Sequence, residues 1–220
     1  MRITDIREAA APLGAPMRNS VIDFSKMTVS TVAVITDVIR DGKPVIGYGF
    51  NSNGRYAQGE IIRSRLVPRI LALSPEEQQT AAGDNLNPAQ LYAAMLRNEK
   101  PGGHGERAVA VAAVEIAIWD ATAKIAGLPL WRFLGGDDVQ PRAFTYAAGG
   151  YYEVNEGISG LVEEVKGYLD QGYTWTKIKI GGASLDDDLR RIEAVLELLD
   201  GDGSRLAVDA NGCFDLETSL

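Results

Sequence analysis

The chain has 220 residues, of which 45 % are hydrophobic and 24 % charged, the balance of a soluble globular protein with room for one large domain or two ordinary ones. Its net charge of -8 argues against a nucleic-acid or anionic-membrane surface, but a local cluster of Lys and Arg could still hold an acidic ligand. The single cysteine, Cys213, excludes an intramolecular disulfide, the start Met1-Arg2-Ile3-Thr4-Asp5 lacks the apolar core of a secretory signal, and no run reaches the length of a membrane span, so a cytoplasmic location is expected.

Residues 2–10 read as an edge strand. Residues 29–39 are β-branched and apolar, Asp41-Gly42 is a strong turn signal, and 45–50 follow as a partner strand. Asn19 lies between the predicted strands, in Pro16-Met17-Arg18-Asn19-Ser20. Asn53 lies in the loop 51–59, whose glycine and asparagine content suits a lid. Helices are expected over 60–72, 76–83 and 88–98. Ser74-Pro75-Glu76-Glu77 and Asn87-Pro88 supply cap and first turn for the last two. Lys100 precedes a break, Pro101-Gly102-Gly103-His104-Gly105, that holds the only histidine. Lys100 reads either as a solvated loop lysine or as a cation over a site. His104 reads as a backbone-bonded turn residue.

A long helix over 106–126 is closed by Gly127 and Pro129, with Val109, Ala112, Ala113, Ile116, Trp119 and Ala123 recurring at three- and four-residue spacing. Its small residues would allow close approach to another element. A short turn of helix follows Pro129, and the boundary between an α+β domain (1–138) and a second domain (139–220) is placed within 137–140.

From Pro141 the rhythm is strand, helix, strand, helix, strand, over 143–147, 157–170, 174–180, 185–199 and 206–210. Such repeats mean a parallel sheet, either the opening of a (β/α)8 barrel or part of an open sheet. Ala147-Ala148-Gly149-Gly150 does not fit a dinucleotide fingerprint. In the second helix, Leu185, Leu189, Ile192, Val195, Leu196 and Leu199 form the expected buried stripe, with Asp186, Asp187, Asp188, Arg190 and Arg191 mostly outside it.

Two short strings carry the chemistry: Thr176-Lys177-Ile178-Lys179-Ile180-Gly181 and Ala207-Val208-Asp209-Ala210-Asn211-Gly212. Side chains alternate along a strand, so Trp175, Lys177 and Lys179 point one way while Thr176, Ile178 and Ile180 point the other. In a barrel the lysines then point inward near the carboxyl end, where barrel active sites lie. Poor solvation and a neighbouring cation both disfavour a protonated ammonium, which suits a general base. The alternative is a pair of solvated lysines on a half-exposed strand. Gly181-Gly182 give a tight exit through which a ligand could approach the backbone. Asp209 and Asn211 share the inward parity. Asp209 is either one ligand of a hard cation such as Mg2+ or the partner in a buried ion pair. Tyr146 ends the first barrel strand at the mouth, above Phe144 in the interior.

These strings resemble the Lys-x-Lys and Asp-x-Asn motifs of the mandelate racemase branch of the enolase superfamily. The helix ending Trp119-Asp120-Ala121 and the stretch Lys124-Ile125-Ala126-Gly127-Leu128-Pro129-Leu130 resemble that family's passage from capping domain to barrel. Asn51-Ser52-Asn53-Gly54-Arg55-Tyr56, the stretch from Asn98 to Arg107, and Tyr146-Ala147-Ala148-Gly149-Gly150-Tyr151-Tyr152 resemble the D-tartrate dehydratases within it.

The resemblance implies an α+β capping domain followed by the start of a (β/α)8 barrel that stops in its third β/α unit. It implies Mg2+ as cofactor, with Asp209 as its first carboxylate ligand, Lys179 as general base, and Lys177 as the neighbour that tunes it and contacts the substrate carboxylate. Asn19, Asn53 and Lys100 match substrate contacts of the capping domain, and Tyr146 and Asn211 are further substrate contacts. The implied reaction is dehydration of D-tartrate to oxaloacetate through an enediolate, by a longer enzyme. A dehydratase or epimerase of a longer acid sugar such as galactarate is the alternative, and an inactive partial fold is another. The expected partner is a small dicarboxylic hydroxy acid, with no nucleic acid or membrane, and the protein is expected to form a homo-oligomer. His104 does not match the family's catalytic histidine. Three strands cannot close a barrel, so the stretch alone is expected to be poorly soluble and inactive.

Overall fold

The computed structural model describes residues 1–51, 58–102, 105–136, 138, 140, 142–153 and 157–219. The chain divides into two compact units, one of 1–13 with 27–141, the other of 14–26 with 142–220.

In the first unit, β1 (Ile3–Pro12) and two later strands form an antiparallel sheet, while β2 (Met17–Arg18) belongs to the second unit. The later strands are β3 (Thr28–Arg40) and β4 (Lys43–Phe50), and the order is β1-β3-β4. Asp41 and Gly42 take φ of 51° and 74°, the left-handed pair that a two-residue hairpin turn requires, and Arg40 pairs with Lys43 across it.

Helix α1 (Gln58–Ile61), a π-turn over Ile62–Leu66 and α2 (Val67–Leu71) run on without a break, where one regular helix was expected. Helix α3 is only Pro75–Gln78, shorter than the expected 76–83. Ser74 and Glu77 form a reciprocal capping box at its start. Gln79 then turns extended and bridges to Leu86, which ends the helix. Helix α4 (Pro88–Met95) is capped by Asn87.

Helix α5 (Gly105–Ala126) crosses the sheet, and α6 (Leu130–Gly135) follows. The buried face of α5 is Ala110, Ala113, Val114, Ala117, Ile118 and Ala121, whereas Ala112 and Ile116 of the expected stripe are exposed. The helix is apolar nearly all round, so spacing alone could not orient it. The partner strand decides. A Cβ on Gly47 would lie 2.0 Å from the Ala117 carbonyl oxygen, and one on Gly49 would lie 2.2 Å from that of Ala113. Two glycines opposite a line of alanines let helix and sheet backbones approach closely.

In the second unit, β5 (Ala147–Gly149), β7 (Thr176–Lys179) and β8 (Leu206–Asp209) form a parallel sheet in the order β5-β7-β8. The short strand β6 (Tyr152–Glu153) pairs with β2. Helix α7 (Gly157–Asp170) connects β6 to β7, α8 (Leu185–Leu198) connects β7 to β8, and α9 (Leu216–Ser219) follows. Parallel neighbours joined through helices are β/α units.

The core of this unit is Leu161 and Val165 of α7, Ile178 of β7, and Val195 and Leu199 of α8 and its end. Strand β5 starts at Ala147, four residues later than expected. Phe144 is 71 % exposed rather than interior, set edge-on to Trp175 at 5.4 Å. The stripe of α8 is rotated from the expected one. Leu185 and Leu189 are exposed, and Asp188 and Arg191 are buried in their place. No helix among the described residues is long and apolar enough to cross a membrane.

Candidate active site

Strand β7 sends Ile178 into the helix-side core and Lys177 and Lys179 to the opposite face. Parallel pairing sets Lys177 level with Ala207 and Lys179 level with Asp209. Lys179 is buried, and its Nζ donates to Asp209 Oδ2 at 2.7 Å. Lys177 Nζ stands 3.4 Å from the same oxygen. The other oxygen, Oδ1, accepts the backbone N–H of Asn211 at 2.9 Å. Asn211 takes φ of 52°, a left-handed turn that asparagine tolerates well, and its side chain is exposed. The Lys179 hydrogen bond, followed by that N–H and with a smaller contribution from Lys177, holds the Asp209 carboxyl down to about 2.

Each lysine also lies over an aromatic ring. Lys177 Nζ is 5.7 Å from the centre of Tyr146 and Lys179 Nζ is 5.5 Å from that of Tyr151. The two tyrosines bracket β5. Tyr146 thus comes to the lysine pair from just before the strand rather than from its end. Tyr151 carries only a weak sequence signal, an aromatic residue just past the exit of the strand next to the lysines. Tyr151 stands edge-on to buried Phe24, 5.9 Å away.

The glycines after Lys179 serve packing. Gly181 takes φ of 84°, and a Cβ there would lie 2.2 Å from Cys213 Sγ. A Cβ on Gly182 would meet the Tyr152 ring at 2.5 Å. Cys213 and Tyr152 thus approach these two glycines too closely for a side chain at either position.

Asn19 belongs to the same unit and is buried. Its Oδ1 accepts the N–H groups of Val21 and Ile22 at 2.8 and 2.7 Å, so that oxygen is committed to its own turn. The neighbouring Ser20 donates to the carbonyl of Ala210, at the exit of β8. Lys100 belongs to the first unit and is exposed, and its carbonyl accepts from Arg107 at 2.9 Å. Arg107 also binds Glu99, together with Arg69 and Arg65. Hydrogen bonds from Arg69 first, then Arg107, hold the Glu99 carboxyl down to about 2. Asn53 and His104 lie outside the described residues.

A hard divalent cation needs several oxygens. Asp209 supplies one carboxylate on the face that bears the lysines, and fits as a single ligand. Among the described residues, no group of three or more His, Cys, Asp or Glu could hold a metal ion.

The family description "Mandelate racemase / muconate lactonizing enzyme, N-terminal domain" matches residues 3–135, and "Enolase C-terminal domain-like" matches residues 160–220. The chain belongs to the mandelate racemase/muconate lactonizing enzyme branch of the enolase superfamily. It is 34 % identical over 134 residues to the arabinonate dehydratase of Saccharolobus solfataricus, covering 60 % of this chain and 34 % of that enzyme. It is 29 % identical over 215 residues to the L-talarate/galactarate dehydratase of Salmonella typhimurium, covering 96 % of this chain and 51 % of that enzyme. The solved structure of that Salmonella enzyme liganded with Mg and L-lyxarohydroxamate matches at a TM-score of 0.69 and 23 % identity, over 97 % of this chain and 52 % of the other, a likeness of fold alone. A mandelate racemase/muconate lactonizing enzyme-like protein from Rubrobacter xylanophilus matches at a TM-score of 0.71 and 25 % identity, over 100 % of this chain and 56 % of the other. The chain spans about half the length of these latter relatives. Its fold is the family's α+β capping domain followed by the opening units of a (β/α)8 barrel.

Proposed function

We propose that the complete protein is a Mg2+-dependent dehydratase of acid sugars that carry two carboxylates. The observation that carries this reading is Lys179 Nζ 2.7 Å from Asp209 Oδ2, on the strand face turned away from the helices. Lys179 is the base that takes the proton beside the substrate carboxylate. Lys177 contacts that carboxylate, and Asp209 is one ligand of the metal. When bound, the cation would stabilise the enediolate charge that develops as the proton leaves. Asp209 would help hold that cation, and Lys179 acts as the base in its neutral form, having given its own proton to solvent.

The first unit is the capping domain in this reading. Lys100 supplies the positive partner for the distal carboxylate, with Asn19 and Asn53 as further contacts. Tyr146 and Asn211 contact the substrate from the barrel side. The β-hydroxyl leaves as water, taking up a proton from a general acid of the complete protein, and the resulting enol tautomerises to a 2-keto acid.

Two substrates in this class have separate support. The strings at 51–56, 98–107 and 146–152, which resemble D-tartrate dehydratases, support D-tartrate and its conversion to oxaloacetate. The talarate/galactarate relative that aligns over 96 % of the chain supports a six-carbon diacid such as galactarate. A panel of acid sugars offered to the complete protein with Mg2+, read as 2-keto acid formation, separates them. Turnover of diacids but not of monoacids such as arabinonate is expected. Turnover confined to monoacids, or racemisation without loss of water, sinks the reading. Sedimentation of the complete protein tests the accompanying proposal of a homo-oligomer.

A further inference from the structure

Lys179 is the last residue of β7, so the direction of its side chain depends on the backbone that leaves the strand. The Ile180 N–H still pairs with the Asp209 carbonyl on β8 at 3.1 Å, and from the next residue on the exit amides are held by side chains. Gly181 N–H donates to Asp188 Oδ2 at 2.6 Å, and Gly182 N–H donates to the Tyr152 hydroxyl at 3.0 Å. The Tyr152 hydroxyl in turn donates to Asp188 Oδ1. Arg191 completes the group. Its Nε stands 3.7 Å from Asp188 Oδ1, and its guanidinium lies 4.4 Å from the centre of the Tyr152 ring. Its Nη2 donates to Gly150 O at 2.6 Å and reaches Lys179 O at 3.4 Å. Gly150 leads directly into Tyr151, the ring beneath Lys179.

All three side chains are buried: Asp188 is 1 % exposed, Arg191 7 % and Tyr152 8 %. A buried charge pair is seldom the most stabilising filling for a core, and a well-packed apolar set often does as well. What this trio adds is directional. It fixes two consecutive amides after Lys179 and the carbonyl that precedes Tyr151. Burial, helped by the bond to Asp188, pushes the Tyr152 phenol up to about 12, so it stays neutral, keeping its hydrogen directed at Asp188 Oδ1 and a lone pair for the Gly182 N–H.

We infer that Asp188, Tyr152 and Arg191 are positioning residues that fix the β7 exit and so set the placement of Lys179 over Tyr151. The inference rests on the reading of Lys179 as the base. Neither Tyr152 nor Asp188 touches substrate in this account; both act through the backbone.

The test uses the complete protein with Mg2+ and the diacid it turns over, carrying deuterium at the reacting α-carbon. Tyr152→Phe keeps the ring and removes only the hydroxyl, and Asp188→Asn keeps the size and removes the charge. Each is expected to slow α-deuteron release per folded enzyme about tenfold to a hundredfold, the scale of an ångström-level misplacement, with KM and Mg2+ affinity nearly unchanged. Hydrogen exchange at the Gly181 and Gly182 amides is expected to quicken by about tenfold in both, while α7 and α8 keep their protection. In a Lys179→Ala background Tyr152→Phe should add no further loss, a result that general destabilisation would not give. Unchanged turnover in both variants despite faster exchange overturns the positioning role. Unchanged exchange overturns the clamp itself. If Lys179→Ala still releases the deuteron at the wild-type rate, the base assignment falls instead, and amide exchange alone then decides whether the clamp exists.

Discussion

Lys179 Nζ lies 2.7 Å from Asp209 Oδ2, with Lys177 Nζ at 3.4 Å from the same oxygen. Two cations on one carboxylate leave the face with surplus positive charge, which suits a carboxylate ligand. The geometry follows from strand parity and parallel register alone, since Lys179 and Asp209 occupy paired positions on neighbouring strands. Asp209, which would help hold a cation, is thus also the carboxylate that both lysines contact.

Asp209→Asn in the complete protein is predicted to weaken Mg2+ binding by at least tenfold, since even substitutions behind a ligand cost about 10- to 100-fold. Titration calorimetry measures it directly. Binding as tight as in the unaltered protein would mean that Asp209 is only the ion-pair partner of the lysines.

Gly47→Ala tests the packing of α5 on β4. A Cβ there would lie 2.0 Å from the Ala117 carbonyl oxygen and 2.5 Å from the Ala121 nitrogen, both backbone atoms that cannot swing aside. A loss of about 3 kcal/mol or more is expected, at or beyond the upper end of ordinary overpacking. Urea unfolding of the two proteins gives the number, and a loss within about 0.5 kcal/mol, the scale of a neutral surface change, would mean that the helix can shift away.

Glu99 predicts an acid dependence. Arg69, Arg107 and Arg65 hold its folded carboxyl near 2, below the ordinary 4.5. A folded value below the unfolded one means that the unfolded chain takes up the proton first. The stabilisation is therefore complete above the ordinary value and is lost as pH falls through 4.5 toward 2. Glu99→Gln should lower the unfolding midpoint at neutral pH, and the gap to the unaltered protein should close across that window. A gap that stays constant down to the acid end would show that the carboxylate charge contributes nothing to folding.

Much of the candidate site was legible in the sequence because a strand has only two faces. Once Ile178 is taken as core, Lys177 and Lys179 must face the other way, and one register step brings Asp209 beside them. The hairpin at Asp41-Gly42 was equally legible, since few sequences favour two consecutive left-handed residues. The buried face of α8 was not. Leucines at 185 and 189 suggest an apolar stripe, yet Asp188 and Arg191 are the residues turned inward. Their burial depends on the free amides after β7, on the Gly150 carbonyl and on the Tyr152 hydroxyl, which are tertiary partners with no trace in local periodicity. The face of α5 was hidden for the converse reason, because alanines surround the helix and only Gly47 and Gly49 on another element select among them. Residues 14–26 join the second unit through β2 with β6 and Ser20 with Ala210, contacts that join distant parts of the chain.

The central claim is that Lys179 removes the proton beside the substrate carboxylate. The most direct measurement is release of deuterium to solvent from α-deuterated D-tartrate or galactarate, by the complete protein with Mg2+ and by its Lys179→Ala variant. The account predicts release by the unaltered protein and a loss of about 100- to 10,000-fold in the variant, the range for a missing general base, with Mg2+ binding retained. Release by Lys179→Ala at the rate of the unaltered protein would contradict it.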